Sequence, residues 1–256
     1  LGGKGPVIVA RRSGANWRLD LREGIDFAIY LMGAFEPATV AAYRRAIGPG
    51  ATVLDIGANI GAHTLPLAQT VGSSGRVIAV EPTRYAFERL TDQLSLNPDL
   101  APRVTTRQAM LMASQSTELV DAIPSSWPLS TPEGAHEHHL GVSKSTAGAA
   151  VTTADALVAE LKLGPVDFIK LDVDGYELEV LRGARGILND HGPTILFEHS
   201  PYTLAEKGYE PQDMIALLRD AGYRFSDLHG RPFGDGKSVP EVPVGAGINV
   251  LARRAL

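Results

Sequence analysis

The sequence predicts an α/β fold with a nucleoside-binding pocket, and three observations support this prediction. From residue 52 onwards, apolar strand-like runs alternate with helical patterns. The first run leads into a glycine-containing turn, Asp55-Ile-Gly-Ala-Asn-Ile-Gly61, and the second run ends in Glu81. The seven predicted strands cover residues 52–57, 76–81, 103–109, 166–173, 193–199, 224–229 and 247–253.

An N-terminal segment, residues 1–50, precedes this alternation and is predicted to cover the cofactor site. Residues 6–21 are expected to form two short strands around Ser13-Gly14. Residues 25–47 have a helical pattern that is interrupted at Glu36-Pro37. The main domain is therefore predicted to span residues 51–256.

The turn after the first strand is predicted to hold a cofactor. Gly57 allows backbone angles that other residues avoid, and Gly61 allows the next helix to approach a ligand closely. Pro66 falls in the first turns of that helix, where a missing N–H costs little. The two oxygens of Glu81 suit the two hydroxyls of a ribose. A turn that only joins a strand to a helix is the alternative, and Glu81 favours the cofactor site.

The spacing of the glycines distinguishes two classes of cofactor. Dinucleotide sites use G-x-G-x-x-G, so that N–H groups at a helix start can hold a pyrophosphate. Here three residues separate Gly57 from Gly61, and Asp55 precedes the first glycine by two positions. A carboxylate directed into the pocket would repel a pyrophosphate and attract the ammonium group of a methionine moiety. We therefore predict S-adenosylmethionine as the cofactor.

The helical patterns between the strands each have an apolar face. Shared faces are predicted for three groups of residues: Phe87, Leu90 and Leu94; Leu178, Leu181 and Leu188; and Met214, Leu217 and Leu218. Pro211 and Gly222 would bracket the last of these helices.

The long connection at about residues 111–150 interrupts the alternation and is predicted to form a lid with the substrate site. Long loops inside a compact domain usually cover a site or are disordered. Its run His136-Glu-His-His139 has zinc-type ligands. Contiguous polar residues in a loop cannot all point inward, so a solvated turn is the favoured interpretation.

Acidic residues follow the fourth predicted strand, in Asp172-Val-Asp174-Gly-Tyr-Glu177. Asp172 would lie at the carboxyl end of this strand, where open α/β sheets bind ligands. Asp172 and Asp174 could bind a divalent cation such as magnesium, act as a general base for a hydroxyl, or pair with Lys170. Capping of the next helix explains Glu177. A role in the site is favoured for Asp172.

The fifth strand ends in two further candidates, Glu198 and His199. Alternation along a strand sends their side chains to opposite sides, so one faces the pocket while the other packs or caps. A histidine is a suitable base for an alcohol or carboxyl substrate. The two residues are equal candidates at this point.

Composition excludes several classes of protein. The 256 residues include no cysteine, which excludes disulfides and thiolate metal sites. The formal net charge of −5 provides no general attraction to nucleic acid. The apolar runs are too short to span a membrane, and no signal-peptide pattern is present. A cytoplasmic protein that acts on a small molecule is expected, and its oligomeric state is left open.

The chain resembles the FkbM-type S-adenosylmethionine-dependent methyltransferases over roughly residues 30 to 254. The matching segments are Asp55–Gly61, Gly75–Pro82, Thr152–Leu157, Phe168–Gly175 with Leu181–Ala184, and Leu196–Glu198. The resemblance implies a class I methyltransferase sheet, a Rossmann-like arrangement with strand order 3-2-1-4-5-7-6 and an antiparallel seventh strand. It implies O-methylation of small molecules, often sugar or natural-product hydroxyls and sometimes carboxyls. Glu36 matches an acid that the family places near the cofactor, whereas Asp174 stands where the family commonly has Glu.

The predicted reaction is direct methyl transfer to a hydroxyl, with a carboxyl acceptor less favoured. Asp172 is the first candidate for the general base or a metal ligand, and His199 is the second. Asp174 and Glu198 are candidates for substrate or metal contacts. The predicted cofactor contacts are Asp55, Gly57, Asn59, Gly61 and Glu36 at the methionine end, Glu81 at the ribose, and Gln108 with Ala109 at the adenine.

Three other functions are less consistent with the sequence. An NAD-dependent oxidoreductase would use a similar first half, but G-x-G-x-x-G is missing and the charge of Asp55 would be unexplained. A non-catalytic nucleotide-binding protein is disfavoured by the intact glycine turn. A nucleic-acid or protein N-methyltransferase is disfavoured by the acidic charge and by the lack of an Asn-Pro-Pro-Tyr-type motif.

Overall fold

A seven-stranded sheet forms the centre of the protein. The computed structural model describes residues 7–130, 133, 135–137 and 140–254. His138 and His139 of the predicted histidine run lie outside the described residues.

Two strands and two helices precede this sheet. β1 (Val7–Arg12) and β2 (Ala15–Asp20) pair antiparallel, as predicted. α1 (Gly24–Met32) ends at Gly33, whose φ of 83° permits a left-handed C-cap, and α2 (Pro37–Ala46) begins with proline. The predicted break at Glu36-Pro37 is confirmed.

The first half of the sheet alternates strand and helix. The elements are β3 (Thr52–Ile56), α3 (Thr64–Thr70), β4 (Arg76–Val80), α4 (Arg84–Ser95), a short 3₁₀ turn (Ala101–Arg103) and β5 (Val104–Arg107). Pro66 lies in the first turn of α3, where the backbone has no helical acceptor for an N–H. Thr83 caps α4, because its side chain accepts a hydrogen bond from the N–H of Ala86.

The connection that was predicted to be a long loop contains regular structure. It includes β6 (Ala109–Leu111), β7 (Ala122–Ser126), β8 (Val142–Ser145) and β9 (Ala150–Thr152). β6 pairs parallel with β9, and β7 forms an antiparallel hairpin with β8. The predicted strand 103–109 is wrong in extent, because it divides at Gln108 and its last residue begins β6. A role of this segment as a substrate lid stays a prediction.

The second half of the sheet follows. Its elements are α5 (Ala154–Glu160), β10 (Phe168–Leu171), α6 (Glu177–Arg182), β11 (Thr194–His199), α7 (Pro201–Glu206), α8 (Pro211–Asp220), β12 (Tyr223–Ser226) and β13 (Ile248–Arg254). Leu188 was predicted to share a helix with Leu178 and Leu181. It lies instead in a separate π-helical turn, Ile187–His191.

The strand order confirms the predicted topology. The sheet runs β12-β13-β11-β10-β3-β4-β5, which is 6-7-5-4-1-2-3 when its seven strands are numbered along the chain. β13 is antiparallel to both of its neighbours, and the other pairs are parallel. The carboxyl ends of β3, β4, β10 and β11 therefore meet at one edge, where ligands bind in open α/β sheets.

Apolar side chains cover both faces of the sheet. One cluster packs α5, α6 and α8 against one face, and a second cluster packs α2, α3, α4 and the β1–β2 hairpin against the other. Within the described ranges, no single helix combines the length and apolarity needed to cross a membrane. The adjoining pair α1 and α2 meets these criteria only when joined across a 72° bend.

Candidate active site

A cavity of about 340 Å³ lies at the carboxyl ends of the central strands. The glycine turn, the end of β4 and the residues after β10 form its inner wall, while α1 and the β7–β8 hairpin form its outer wall. Predicted site residues in the wall are Glu36, Gly57, Asn59, Glu81, Asp172, Asp174 and Glu198. Other side chains in the wall are Phe35, His63, Trp127, Lys170, Tyr202 and Asn249.

Gly57 is required by the packing of the two loops that form the inner wall. Its φ of 79° lies in the left-handed region, and a Cβ there would overlap the carbonyl oxygen of Asp172. Asn59 also has a positive φ, 49°, and its side-chain oxygen accepts a hydrogen bond from the N–H of Ile60 at 2.8 Å. The sharp turn predicted from the glycine pattern is confirmed.

Gly61 lies against helix α4. Its φ is 89°, and a Cβ would come within 2.9 Å of the Leu90 side chain in α4. Gly61 is not part of the cavity wall. The small residue makes room for helix packing, and a close approach of Gly61 to a ligand stays a prediction.

Asp55 also differs from its prediction. Its side chain is fully buried, Oδ2 accepts a hydrogen bond from the Thr64 hydroxyl at 2.6 Å, and the residue is absent from the cavity wall. The β3 register places Asp55 on the sheet face that α3 covers, so its carboxylate meets the start of that helix. A direct contact of Asp55 with the methionine end of a cofactor is therefore not supported by this geometry.

Glu81 is held firmly at the end of β4. Oε1 accepts hydrogen bonds from the Thr83 N–H at 2.9 Å and the Thr83 hydroxyl at 2.6 Å, with the Ser125 hydroxyl at 3.4 Å. Oε2 accepts one from the Asn59 N–H at 3.0 Å. Burial raises the pKa of Glu81, and these hydrogen bonds partly oppose that rise. Oε2 retains a lone pair that is available to a ligand hydroxyl.

Glu36 lies where α1 gives way to α2, with a φ of 44°. Its Oε2 accepts a hydrogen bond from the Asn249 amide at 3.2 Å and lies 3.6 Å from Nε2 of His63. Burial alone would raise the pKa of Glu36, yet the neighbouring His63 and Lys170 hold this pKa at about 2. Glu36 is thus an ionised carboxylate in the outer part of the cavity.

Gln108 and Ala109 lie near the predicted adenine position, but not in the main cavity. The Gln108 side chain donates to the carbonyl oxygens of Pro82 at 3.4 Å and Ala147 at 3.3 Å. Ala109 lines a second, mainly apolar cavity of about 20 Å³, which shares Gly57 and Pro82 with the first. An adenine contact stays a prediction for both residues.

Three acidic residues of the inner wall have different environments. Asp172, the first residue after β10, pairs through Oδ2 with Nζ of Lys170 at 3.0 Å. Asp174 has a φ of 51°, and burial with the nearby Asp172 charge raises its pKa well above the ordinary value. Burial and the charges of Asp172 and Asp174 raise the pKa of Glu198 to about 9. Asp172 is thus the acid of the three with a cationic partner.

Glu177 holds the loop before α6, whereas its predicted role was to cap the helix, and the start of α6 has no side-chain capping hydrogen bond. Its carboxylate accepts hydrogen bonds from the N–H groups of Val173 at 3.0 Å and Gly175 at 3.1 Å, and it lies outside the cavity wall. Burial raises the pKa of Glu177 to about 7, against the effect of these hydrogen bonds. Its carboxylate fixes the loop that carries Asp172 and Asp174.

His199 is not brought to the cavity. Alternation along β11 directs Glu198 to the candidate site and His199 to a separate groove beside α8, which residues 237–242 also line. His199 is 6% exposed, its Nδ1 is buried without a hydrogen-bond partner, and burial lowers its pKa. The second predicted base is therefore on the wrong side of the strand for this site.

The described residues contain no group of three or more His, Asp or Glu side chains placed to hold a metal ion. His136 of the histidine run instead pairs with Glu206 at 3.1 Å. Any cation at Asp172 and Asp174 would depend on ligands from a substrate or from water.

Several wall residues were not predicted. Ile123, Pro124 and Trp127 come from the β7–β8 hairpin, which lacked an interpretable pattern in the sequence. Tyr202 follows the predicted strand end, and Asn249 is a polar residue within the apolar strand β13, a signal that could have marked it. The sequence predicts Lys170 only as a partner for the acids.

The sheet order and the pocket at the strand ends define the class, a class I methyltransferase fold. The chain matches the family described as the Methyltransferase FkbM domain over residues 55–225, and it belongs to that family.

The individual proteins that match this chain have low sequence identity to it. The hexuronic acid methyltransferase AglP of Haloferax volcanii is 29% identical over 167 residues, which are 65% of this chain and 61% of AglP. The match therefore spans less than two thirds of that relative. The FkbM methyltransferase structure from Methylobacillus flagellatus is 17% identical, with 91% of this chain and 56% of that chain covered and a TM-score of 0.48. An O-methyltransferase structure from Thermotoga maritima is 14% identical, with 98% and 79% covered and a TM-score of 0.49.

Proposed function

We propose that the protein is an S-adenosylmethionine-dependent O-methyltransferase that acts on a hydroxyl of a small molecule, either a sugar or a natural-product intermediate. The observation that carries this proposal is that Glu81 and Asp172, at the ends of two strands, line one cavity of about 340 Å³. One carboxylate suits a nucleoside, and the other is placed to accept a proton. The name of the relative AglP, a hexuronic acid methyltransferase, supports a sugar-like acceptor.

The cavity wall fits this cofactor. Oε2 of Glu81 accepts one hydrogen bond from the protein and can accept another from a ribose hydroxyl. Glu36 is an ionised carboxylate at the same cavity, which suits a ligand with ammonium and sulfonium groups. Gly57 and Asn59 would contact the methionine end, and Ala109 would border the adenine. When bound, this cofactor supplies a methyl group on a positively charged sulfur.

The chain's own residues have three tasks in such a reaction. Asp172 accepts the proton of the acceptor hydroxyl, which makes the oxygen a better nucleophile. The walls that include Trp127 and Tyr202 orient the acceptor and exclude water. Glu81 and the glycine turn fix the cofactor, so that the acceptor oxygen and the methyl donor are held in line.

The acidic wall argues against the main alternative. An NAD-dependent oxidoreductase must hold a pyrophosphate, whereas Glu36, Asp172, Asp174 and Glu198 all line this cavity. Of the described wall residues, Lys170 alone has an ammonium or guanidinium group, and Asp172 already pairs with it. A binding protein without catalytic activity remains the second alternative, and only an assay for transfer excludes it.

Calorimetric titration followed by a transfer assay tests the proposal. The purified protein is titrated with S-adenosylmethionine and separately with NAD, each with and without magnesium. Isotopically labelled methyl donor is then offered with neutral sugars, sugar uronates and hydroxylated natural products. Micromolar binding of the methyl donor with label transfer to a hydroxyl is the expected result. Binding of NAD, or transfer only to carboxyl groups, contradicts the proposal, and binding without transfer favours the non-catalytic alternative.

A further inference from the structure

We propose that Lys170 is a positioning residue that fixes the carboxylate of Asp172 against the glycine turn. The inference rests on the proposed function, in which Asp172 is the base. It assigns a task to a buried cation for which the predicted mechanism had no use.

Lys170 connects the two loops of the inner wall. Its Nζ donates to Oδ2 of Asp172 at 3.0 Å and to the carbonyl oxygen of Gly57 at 3.4 Å. The two loops also touch directly, because only a glycine at position 57 leaves room for the Asp172 carbonyl. One ammonium group therefore joins the turn that borders the cofactor to the carboxylate that faces the acceptor.

The burial of Lys170 makes this connection rigid. The residue is 3% exposed, in the middle of the sheet and beside β3 and β11. Burial opposes its charge, but the carboxylates of Asp172, Asp55 and Glu36 more than compensate and raise its pKa. Lys170 is thus a permanent cation at neutral pH. It cannot act as a base, and it can act as a fixed anchor.

The exposure of Asp172 makes the anchor necessary. Asp174 and Glu198 share the wall with Asp172, but burial and neighbouring carboxylates raise the pKa of both, so both favour the neutral form at neutral pH and neither gives Asp172 an ionic partner. A carboxylate on a loop without an ionic partner would turn towards solvent, where water hydrates it. The side chain of Asp172 is 33% exposed, so burial alone does not hold it, whereas Lys170 is 4% exposed by the same measure. The ion pair directs Asp172 inward.

A double-mutant cycle tests this role in the transfer assay. Lys170→Met keeps a long side chain and removes the charge, and Asp172→Asn removes the base. We expect Lys170→Met to lower kcat by about 10- to 100-fold, with KM for the acceptor and Kd for the cofactor changed by less than about 3-fold. In the Asp172→Asn background, the same change should have almost no further effect. Lys237→Met, at an exposed lysine, is the matched control and should leave kcat unchanged.

Two results overturn the inference. If the effects of Lys170→Met and Asp172→Asn on kcat multiply, the residues act independently. If Lys170→Met weakens cofactor binding as much as it lowers kcat, Lys170 supports the glycine turn alone. Should Lys170→Met not fold, Lys170→Gln retains hydrogen-bond donors without charge and takes its place in the same cycle.

A crystal structure of the ligand-free Lys170→Met variant gives a readout that does not depend on activity. The expected result is that the Asp172 carboxylate leaves its wild-type position while the backbone of Gly57 and Asp172 stays in place. An unmoved carboxylate would refute the positioning role. Failure of the proposed function has a different signature, since the wild-type protein would then neither bind the methyl donor nor transfer its label.

Discussion

Asp172 is the single residue on which the proposed chemistry depends most. General base catalysis typically contributes about 10²- to 10⁴-fold, so Asp172→Asn is expected to lower kcat by at least about 100-fold. The cofactor is held mainly by other residues, and its Kd should change by less than about 3-fold. Labelled methyl transfer and calorimetry measure the two quantities. Asp99→Asn, at an exposed carboxylate, is the control. Unchanged turnover of Asp172→Asn would remove the assignment.

Glu198 determines a pH dependence of stability. Its pKa is raised from 4.5 to about 9 in the folded protein, mainly by burial and then by neighbouring carboxylates. Between these two values the folded state binds a proton that the unfolded state releases, so the wild-type protein loses stability as the pH rises through this window. Glu198→Gln lacks that proton linkage. We expect the Tm of Glu198→Gln minus the Tm of the wild type to increase from pH 5 to pH 9.

Thermal unfolding monitored by circular dichroism at several pH values checks this expectation. Glu88→Gln on α4 is the control, because Glu88 is exposed. The Tm difference for this control should stay constant with pH. A constant difference for Glu198→Gln as well would mean that Glu198 is ionised in the folded protein throughout the range.

At the scale of elements, the β7–β8 hairpin is joined to the N-terminal segment by Glu23. The Glu23 carboxylate accepts hydrogen bonds from the Ser126 hydroxyl at 3.0 Å and the Trp127 N–H at 3.0 Å. The backbone adds a bond from the Gly24 N–H to the carbonyl oxygen of Trp127 at 2.7 Å. The side of the cavity that Trp127 forms thus depends on a contact between residues that are 104 positions apart in the sequence.

Glu23→Ala should loosen this element without unfolding the sheet. Two hydrogen-bonded groups lose a charged acceptor, and each such bond contributes about 1.5–3 kcal/mol. Hydrogen exchange measured by mass spectrometry should therefore increase in residues 22–24 and 122–130 and remain unchanged in β3, β4 and β10. Glu88→Ala is the control for a surface glutamate. Faster exchange throughout the protein would show that Glu23 supports the whole fold rather than the hairpin.

The elements also show which parts of the fold were predictable from local pattern. Buried parallel strands are continuous apolar runs, and for this reason β3, β4 and β10 were found within a few residues. The hairpin was not found. Ser125 meets Glu81 across a sequence separation of 44, and no local pattern encodes such a contact.

The place of the site in the fold could also be predicted, because it follows from the order of the strands. Strand ends bring Glu81, Asp172 and Glu198 to one edge of any sheet with this order, and their position follows from topology. Which way a side chain faces depends on what packs beside it. Asp55 accepts a hydrogen bond from Thr64 at the start of α3 and does not line the cavity. The alternation of side chains along β11 did not determine whether Glu198 or His199 would face the cavity.

At the scale of the whole molecule, the cavity draws its walls from nearly every part of the chain. Wall residues range from Gly24 in α1 to Asn249 in β13. A ligand that fills the cavity therefore contacts both the N-terminal segment and the last strand. Because binding to the folded state alone stabilises that state, such a ligand should raise the unfolding temperature of the protein as one unit.

This coupling gives a quantitative test that requires no acceptor. At a concentration of about 100 times Kd, a ligand that binds only the folded state adds about 2.7 kcal/mol. For a domain of about 150–250 residues, each kcal/mol raises Tm by about 2–4 °C, so S-adenosylmethionine should raise it by roughly 5–10 °C in a single transition. NAD at the same concentration is the control and should have no effect.

Glu81→Gln should reduce the shift, because the amide directs an N–H₂ group towards the donors of Thr83 or Asn59. If the methyl donor does not change Tm, or if unfolding shows two separate transitions, a single cofactor site built from the whole chain is contradicted.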